Sequence, residues 1–163
     1  MARMLQLQKL VGVGNVQMVE VDAPTAGPGE VLVKVKRSLI SRGSELFGRY
    51  VVEQERPASV MGYSDAGDVV EVGDSVPGVG IGQPMSMLSP HAEYVAGSLG
   101  EEGVAHPMPE GMSYTMASFL PLASGAVAWT LIPPVEPGDT VVVMGQGLVG
   151  NLGAQAVRQR NPG

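Results

Sequence analysis

Residues 140–160, TVVVMGQGLVGNLGAQAVRQR, constrain the fold more than any other stretch of the chain. Thr140 to Met144 is a continuous apolar run, the pattern of a parallel strand covered on both faces. A glycine turn follows. From Leu148 to Arg160 the pattern is helical, and Asn161, Pro162 and Gly163 are expected to stop the helix. Strand, glycine turn and helix make half of a βαβ unit. One strand and one helix cannot bury their own apolar faces, because such a sheet needs neighbours. The chain is therefore expected to be the front part of something longer.

Gly145, Gly147 and Gly150 match G-x-G-x-x-G in the strand-to-helix context that gives this pattern meaning. The first glycine permits a tight turn, the second lets a pyrophosphate approach the backbone, and the third allows close helix–strand packing. At the helix start, Leu148 and Val149 present free N–H groups and about half a positive charge. The pattern thus predicts a dinucleotide cradle that needs no basic side chain; the alternative is a turn that merely joins strand to helix. The acidic residue that would hold the adenosine ribose lies about 20 residues further on. That position is beyond residue 163, so NAD and NADP are not distinguished.

Ahead of this unit the grammar is different. The chain carries 23 glycines and 13 prolines scattered without a repeat, which predicts short strands and tight turns. In VLVKVK, residues 31–36, Val31, Val33 and Val35 alternate with lysines as on a half-buried strand. Residues 67–73, PMSML at 84–88 and AEYVAG at 92–97 read as further strands, giving an all-β barrel or sandwich up to about residue 112. Residues 113–131 favour helix, and EPGD at 136–139 is a turn. The uncharged stretch 111–135 is long enough to cross a bilayer, but Pro121, Gly125, Pro133 and Pro134 interrupt it. A helix buried between layers is expected there, with no membrane span.

Residues 57–157 contain no lysine or arginine and carry ten carboxylates, from Asp65 to Asp139. Nucleic-acid binding depends on a basic surface, which this stretch cannot supply. The chain has no cysteine, which excludes disulfides and thiolate zinc sites. MARMLQLQKL lacks the apolar core and cleavage site of a signal peptide, so a cytoplasmic protein is expected.

The series RSLISRGSELFGRY, MGYSDAGDVVEVGDSV, SPHAEYVAGS and MPEGMSYTMASFLPLASGAVAWTLIPPVEPGDTVVVMGQGLVG resembles the medium-chain dehydrogenase/reductase superfamily over nearly all 163 residues. It looks closest to a metal-free branch that includes bacteriochlorophyllide-type dehydrogenases and bidomain oxidoreductases. The resemblance implies a mainly β GroES-like catalytic domain over residues 1–112. Residues 113–163 would then be the first strand and helix of an incomplete Rossmann domain binding NAD or NADP. It further implies hydride transfer between nicotinamide and a small-molecule substrate, an alcohol/carbonyl pair or an activated double bond. Homodimer formation is also expected, because the missing strands leave a sheet edge uncovered.

Zinc-type members carry Cys-Gly-Ser/Thr-Asp and Gly-His-Glu where this chain reads Arg42-Gly43-Ser44-Glu45 and Gly62-Tyr63-Ser64. Neither arginine nor tyrosine is a plausible zinc ligand, and catalytic zinc needs three protein ligands. His91, Glu93, Glu101 and His106 match no metal spacing. A zinc-independent site is expected, with no metal ligand.

Without a metal, a side-chain donor must polarise the carbonyl. By the resemblance, Tyr63 faces the reacting centre; alternatively its hydroxyl is satisfied locally at a strand end. Ser44 matches the hydroxyl that relays the alcohol proton, and it also reads as a helix N-cap. Glu45 either orients Tyr63 or Arg42, or is a solvated carboxylate at a helix start. His91 either titrates near neutrality in the site or is an exposed loop histidine. Arg42 is placed on a cofactor phosphate, on a substrate carboxylate, or in a pair with Glu45. Ser124, with Gly125, falls where the family helix passes the nicotinamide, or simply packs. His106 reads as surface. The rival to an enzyme is a lone GroES-like module that binds or assembles and catalyses nothing itself.

Overall fold

The computed structural model describes residues 2–53, 59–100, 103–132 and 134–160. They form two units, Met1–Ser118 and Phe119–Gly163.

Valine alternation builds the centre of the first unit. Strand β3 (Glu30–Ser38) buries Val31 and Val33 completely and leaves Lys34 exposed, as the 31–36 pattern predicts. It lies between β5 (Asp65–Val72) and β7 (Tyr94–Ser98), in a five-stranded sheet of order β7-β3-β5-β6-β8 with β6 (Pro84–Met87) and β8 (Ala105–Pro107). A second sheet of order β2-β1-β4 contains β1 (Arg3–Lys9), β2 (Val16–Asp22) and β4 (Ser59–Val60). Every paired strand is antiparallel. The core joins Met4 of β1 to Val31, Val33, Val69, Met85, Met87 and Val95 of the larger sheet, the thioethers filling gaps between slim branched side chains.

Two register shifts in the β3–β5 pair mark bulges, which bend a sheet and increase its twist. Gly67 sits beside one of them. A Cβ there would lie 2.1 Å from the carbonyl oxygen of Lys34, so only glycine lets the two backbones meet. Residues 91–93 then form the seam between the sheets. Leu7 N–H donates to His91 O at 2.8 Å, Glu93 N–H to Leu5 O at 3.0 Å, and Gln6 bridges Ala92. The result is a curled antiparallel half-barrel with residue 91 at its seam.

A π-helix over Arg42–Tyr50 connects β3 to β4. Its far end is tied down by Gly14 N–H to Tyr50 O at 2.7 Å and by Arg49 to Ser59 Oγ and Val60 O at 2.6 and 2.7 Å. Ser113 caps α1 (Tyr114–Ala117) by accepting from Met116 N–H. The Tyr114 hydroxyl donates to Asp68 on β5 at 2.5 Å, anchoring that helix to the sheet.

In the second unit α2 (Leu120–Trp129) packs on α3 (Leu148–Arg160). The helical stretch expected over 113–131 is two helices. It breaks at Ser118–Phe119 and restarts where Pro121 occupies the first turn, a position that needs no N–H donor. α2 is not the buried layer expected of it: only Ala126 is buried, and Trp129 and Val127 are exposed. The strand expected over Thr140–Met144 does not form. The segment has no strand ladder, and Val142 and Met144 are 79% and 93% exposed. A parallel strand is stable only beside another, and none flanks it among the described residues. The turn at 136–139 forms, with Gly138 at φ +94°, and α3 spans the expected 148–160. The expected helix stop at 161–163 lies outside the described residues. No described helix is long and apolar enough to cross a membrane.

Candidate active site

His91 is the hub of the first unit's polar interior. Its Nε2 donates to Glu45 Oε2 at 2.8 Å, and its Nδ1 meets Ser38 Oγ at the end of β3. Asp65 Oδ1 lies 3.8 Å from the same Nδ1, while Asp65 Oδ2 accepts from Ser89 Oγ at 2.8 Å. His91, Glu45 and Asp65 are 8%, 3% and 0% exposed, and Asp65 Oδ1 has no hydrogen-bond partner among the described residues. Burial alone would lower the imidazole pKa; Asp65 and Glu45 outweigh it and hold it above the ordinary value of 6.5. The imidazole is thus buried between two carboxylates that favour its protonated form.

This corrects three sequence expectations. His91 is not an exposed loop histidine, Glu45 is not a solvated carboxylate, and Glu45 does not pair with Arg42. The reason is the helix start. Ser41, not Ser44, is the N-cap residue, and Glu45 reaches back so that Oε1 accepts from Ser41 N–H at 2.6 Å. The sequence spacing S-x-x-x-E is one residue wider than a capping box, as suits the wider winding of a π-helix.

Ser44 lies inside the first turn, with its hydroxyl 3.4 Å from the Tyr63 hydroxyl and 3.4 Å from that of Ser41. The sequence readings of Tyr63 and Ser44 thus meet in one half-exposed pair of hydroxyls. Arg42, the first residue of the π-helix, is exposed, and its side chain makes no hydrogen bond or ion pair with other described residues. Gly62 has φ +94°, and a Cβ there would stand 2.5 Å from His91 Cγ. The turn that carries Tyr63 is therefore fitted against the imidazole face. His106 is half-buried in β8, paired opposite Ser86, and is not simply surface.

In the second unit Gly145 has φ +90°. A Cβ on Gly150 would lie 2.0 Å from the Gly145 carbonyl oxygen, so the helix presses directly on the turn. The helix ladder begins with Asn151 N–H to Gly147 O at 2.9 Å. The N–H groups of Leu148, Val149 and Gly150 precede that bond and have no intrahelical acceptor. Ser124 is exposed on α2, and a Cβ on the neighbouring Gly125 would meet no atom within 4 Å.

Among the described residues no three His, Cys, Asp or Glu side chains are arranged to hold a metal ion; Glu101 lies outside them. Ser38 and Asp65 were not legible as site residues. Their partner His91 is remote in sequence, and no local pattern marks a hydroxyl at a strand end or a carboxylate at a strand start as buried.

No family model matches the chain. The L-threonine 3-dehydrogenase of Pyrococcus furiosus is 36% identical over 89 residues, covering 52% of this chain and 25% of that protein. Among solved structures, the quinone oxidoreductase from Coxiella burnetii matches with a TM-score of 0.80 at 26% identity, over 98% of this chain and 54% of that one. An Escherichia coli CFT073 short chain alcohol dehydrogenase complexed with NADH matches with a TM-score of 0.78 at 19% identity, over 97% of this chain and 54% of that one. These comparisons bear out the resemblance to the medium-chain dehydrogenase/reductase superfamily and the fold class read from the sequence. The chain spans about half the length of the solved chains it matches and aligns with a quarter of the threonine dehydrogenase.

Proposed function

We propose that the chain is the amino-terminal portion of a zinc-independent, NAD(P)-dependent oxidoreductase. Residues up to about 112 carry the substrate side and residues 113–163 begin the cofactor domain. The observation that carries this reading is the glycine turn. Gly145 takes a backbone conformation open to glycine, Gly150 packs on its carbonyl, and three helix-start N–H groups stand free for a diphosphate. Bound there, a nicotinamide cofactor would supply or accept the hydride; Gly145, Gly147, Leu148, Val149 and Gly150 would hold its phosphates.

The proton that accompanies hydride falls to the hydroxyls. Tyr63 and Ser44, 3.4 Å apart, are suited to donate a hydrogen bond to a carbonyl oxygen and to return a proton to it. Zinc independence rests on the donor set: the chain has no cysteine, and Arg42 and Tyr63 stand where zinc-type relatives bind the metal. A metal ion is not needed for this step, because a hydroxyl donor polarises the carbonyl.

NADH fluorescence is the direct assay. Weak binding that falls below detection in Gly150→Ala supports the cradle, since the added methyl must push α3 off the turn. Equal binding by both proteins, or none by either, favours the lone binding module. In turnover of NAD(P)H, Tyr63→Phe is expected to lower kcat by about 10²–10⁴-fold with little change in KM; unchanged kcat removes Tyr63 from the proton step.

A further inference from the structure

A cleft of ≈ 360 Å³ opens on the first unit where β1, β2, the end of β3 and residues 91–93 meet. Leu7, Met18, Val35, Ile40 and Ala92 make it largely apolar, and Ser38 and His91 supply polar atoms. A mostly apolar hollow with a few convergent polar groups is the usual form of a small-molecule site. We propose that this cleft is a second ligand site, in which the Ser38 hydroxyl recognises the carboxylate of a small ligand with an apolar body.

The wiring behind Ser38 decides the polarity of that hydroxyl. Glu45 is acceptor-only when ionised, so His91 Nε2 keeps its proton against Oε2 in either charge state of the ring. When the ring is protonated, Nδ1–H donates to Ser38 Oγ, and the serine proton is free to point into the cleft. When the ring is neutral, Nδ1 becomes an acceptor and draws the serine proton inward. Ser38 therefore offers the cleft a donor while His91 is charged and only lone pairs once it is not.

The charges around the cleft suit an anion. Glu93, the one carboxylate lining it, is turned back to accept from Leu5 N–H at 2.7 Å. Lys36 is shared with Asp68 at 3.4 Å. Arg37 donates only to the Lys36 carbonyl, at 2.7 Å, and has no acidic partner among the described residues. The charged groups facing His91 itself are Glu45 from the π-helix and Asp65 from β5, and both favour its protonated form. β1 contributes the uncharged Leu7.

The test is a titration of the 163-residue chain with sodium hexanoate, read from the Met18 methyl by NMR between about pH 6 and pH 9.5, while ring signals follow His91. Saturable binding near pH 6 is expected, weakening by about tenfold as His91 deprotonates, the worth of one hydrogen bond to a charged group. Ser38→Ala, at an exposed position, should weaken the low-pH binding by a similar factor and flatten its pH dependence. No saturable shift near pH 6, an unaltered response in Ser38→Ala, or hexanol binding as tightly as hexanoate each overturns the proposal. The titration contains no nicotinamide, so its outcome is separate from that of the hydride-transfer reading.

Discussion

Replacing His91 by alanine is expected to destabilise the first unit by about 3–5 kcal/mol, the cost of breaking a buried ion pair from one side. The substitution leaves Glu45 and Asp65, 3% and 0% exposed, without the imidazole that lies between them. Urea unfolding measures the loss. Glu45→Gln added to His91→Ala should cost less than the two single losses combined, because the residues act as one network. The pH dependence has a definite sign. A histidine whose pKa is higher folded than unfolded stabilises fully below the unfolded value, about 6.5, and loses that contribution as pH rises through the folded value. The stability gap between the wild-type chain and His91→Gln should therefore be widest near pH 6 and close toward alkaline pH. A gap that widens with rising pH contradicts the charged-hub description.

Gly62→Ala should be nearly as damaging. Two penalties fall on the same methyl: a left-handed backbone at φ +94°, about 1–2 kcal/mol, and a Cβ 2.5 Å from His91 Cγ. Overpacking of this kind adds about 1–3 kcal/mol. Gly78→Ala is the matched control, with φ +75° and no atom within 4 Å of the added carbon. The excess loss in Gly62→Ala over Gly78→Ala, read from urea midpoints at constant slope, measures the contact with the imidazole. Equal losses at the two sites show that Gly62 is required for its backbone conformation alone.

Much of the architecture was legible because it is written in local patterns. Val31, Val33 and Val35 announce a strand through their alternation, and Leu148–Arg160 announces a helix between a glycine turn and a stop. β1 was harder: its pattern ends in Lys9, which is fully buried and satisfied by the carbonyls of Leu10 and Gly12 rather than by water. Thr140–Met144 shows the opposite case, in which strand composition is present without the neighbour that would make it a strand. The polar hub was the least legible feature. Glu45 and Ser44 read locally as a helix start, yet the π-helix begins at an earlier serine and turns the carboxylate inward. Burial of His91 depends on Ser38, Glu45, Asp65 and Gly62 arriving from separate elements, which only the folded unit brings together.

The proposed function depends on the backbone at residues 145–150 cradling a nicotinamide dinucleotide. An amide chemical-shift map of the ¹⁵N-labelled chain titrated with NADH tests it most directly. The largest shifts are expected on Gly145, Gly147, Leu148, Val149 and Gly150, and inorganic pyrophosphate is expected to move the same amides. Unmoved amides across this turn, at NADH concentrations that shift signals elsewhere, would contradict it.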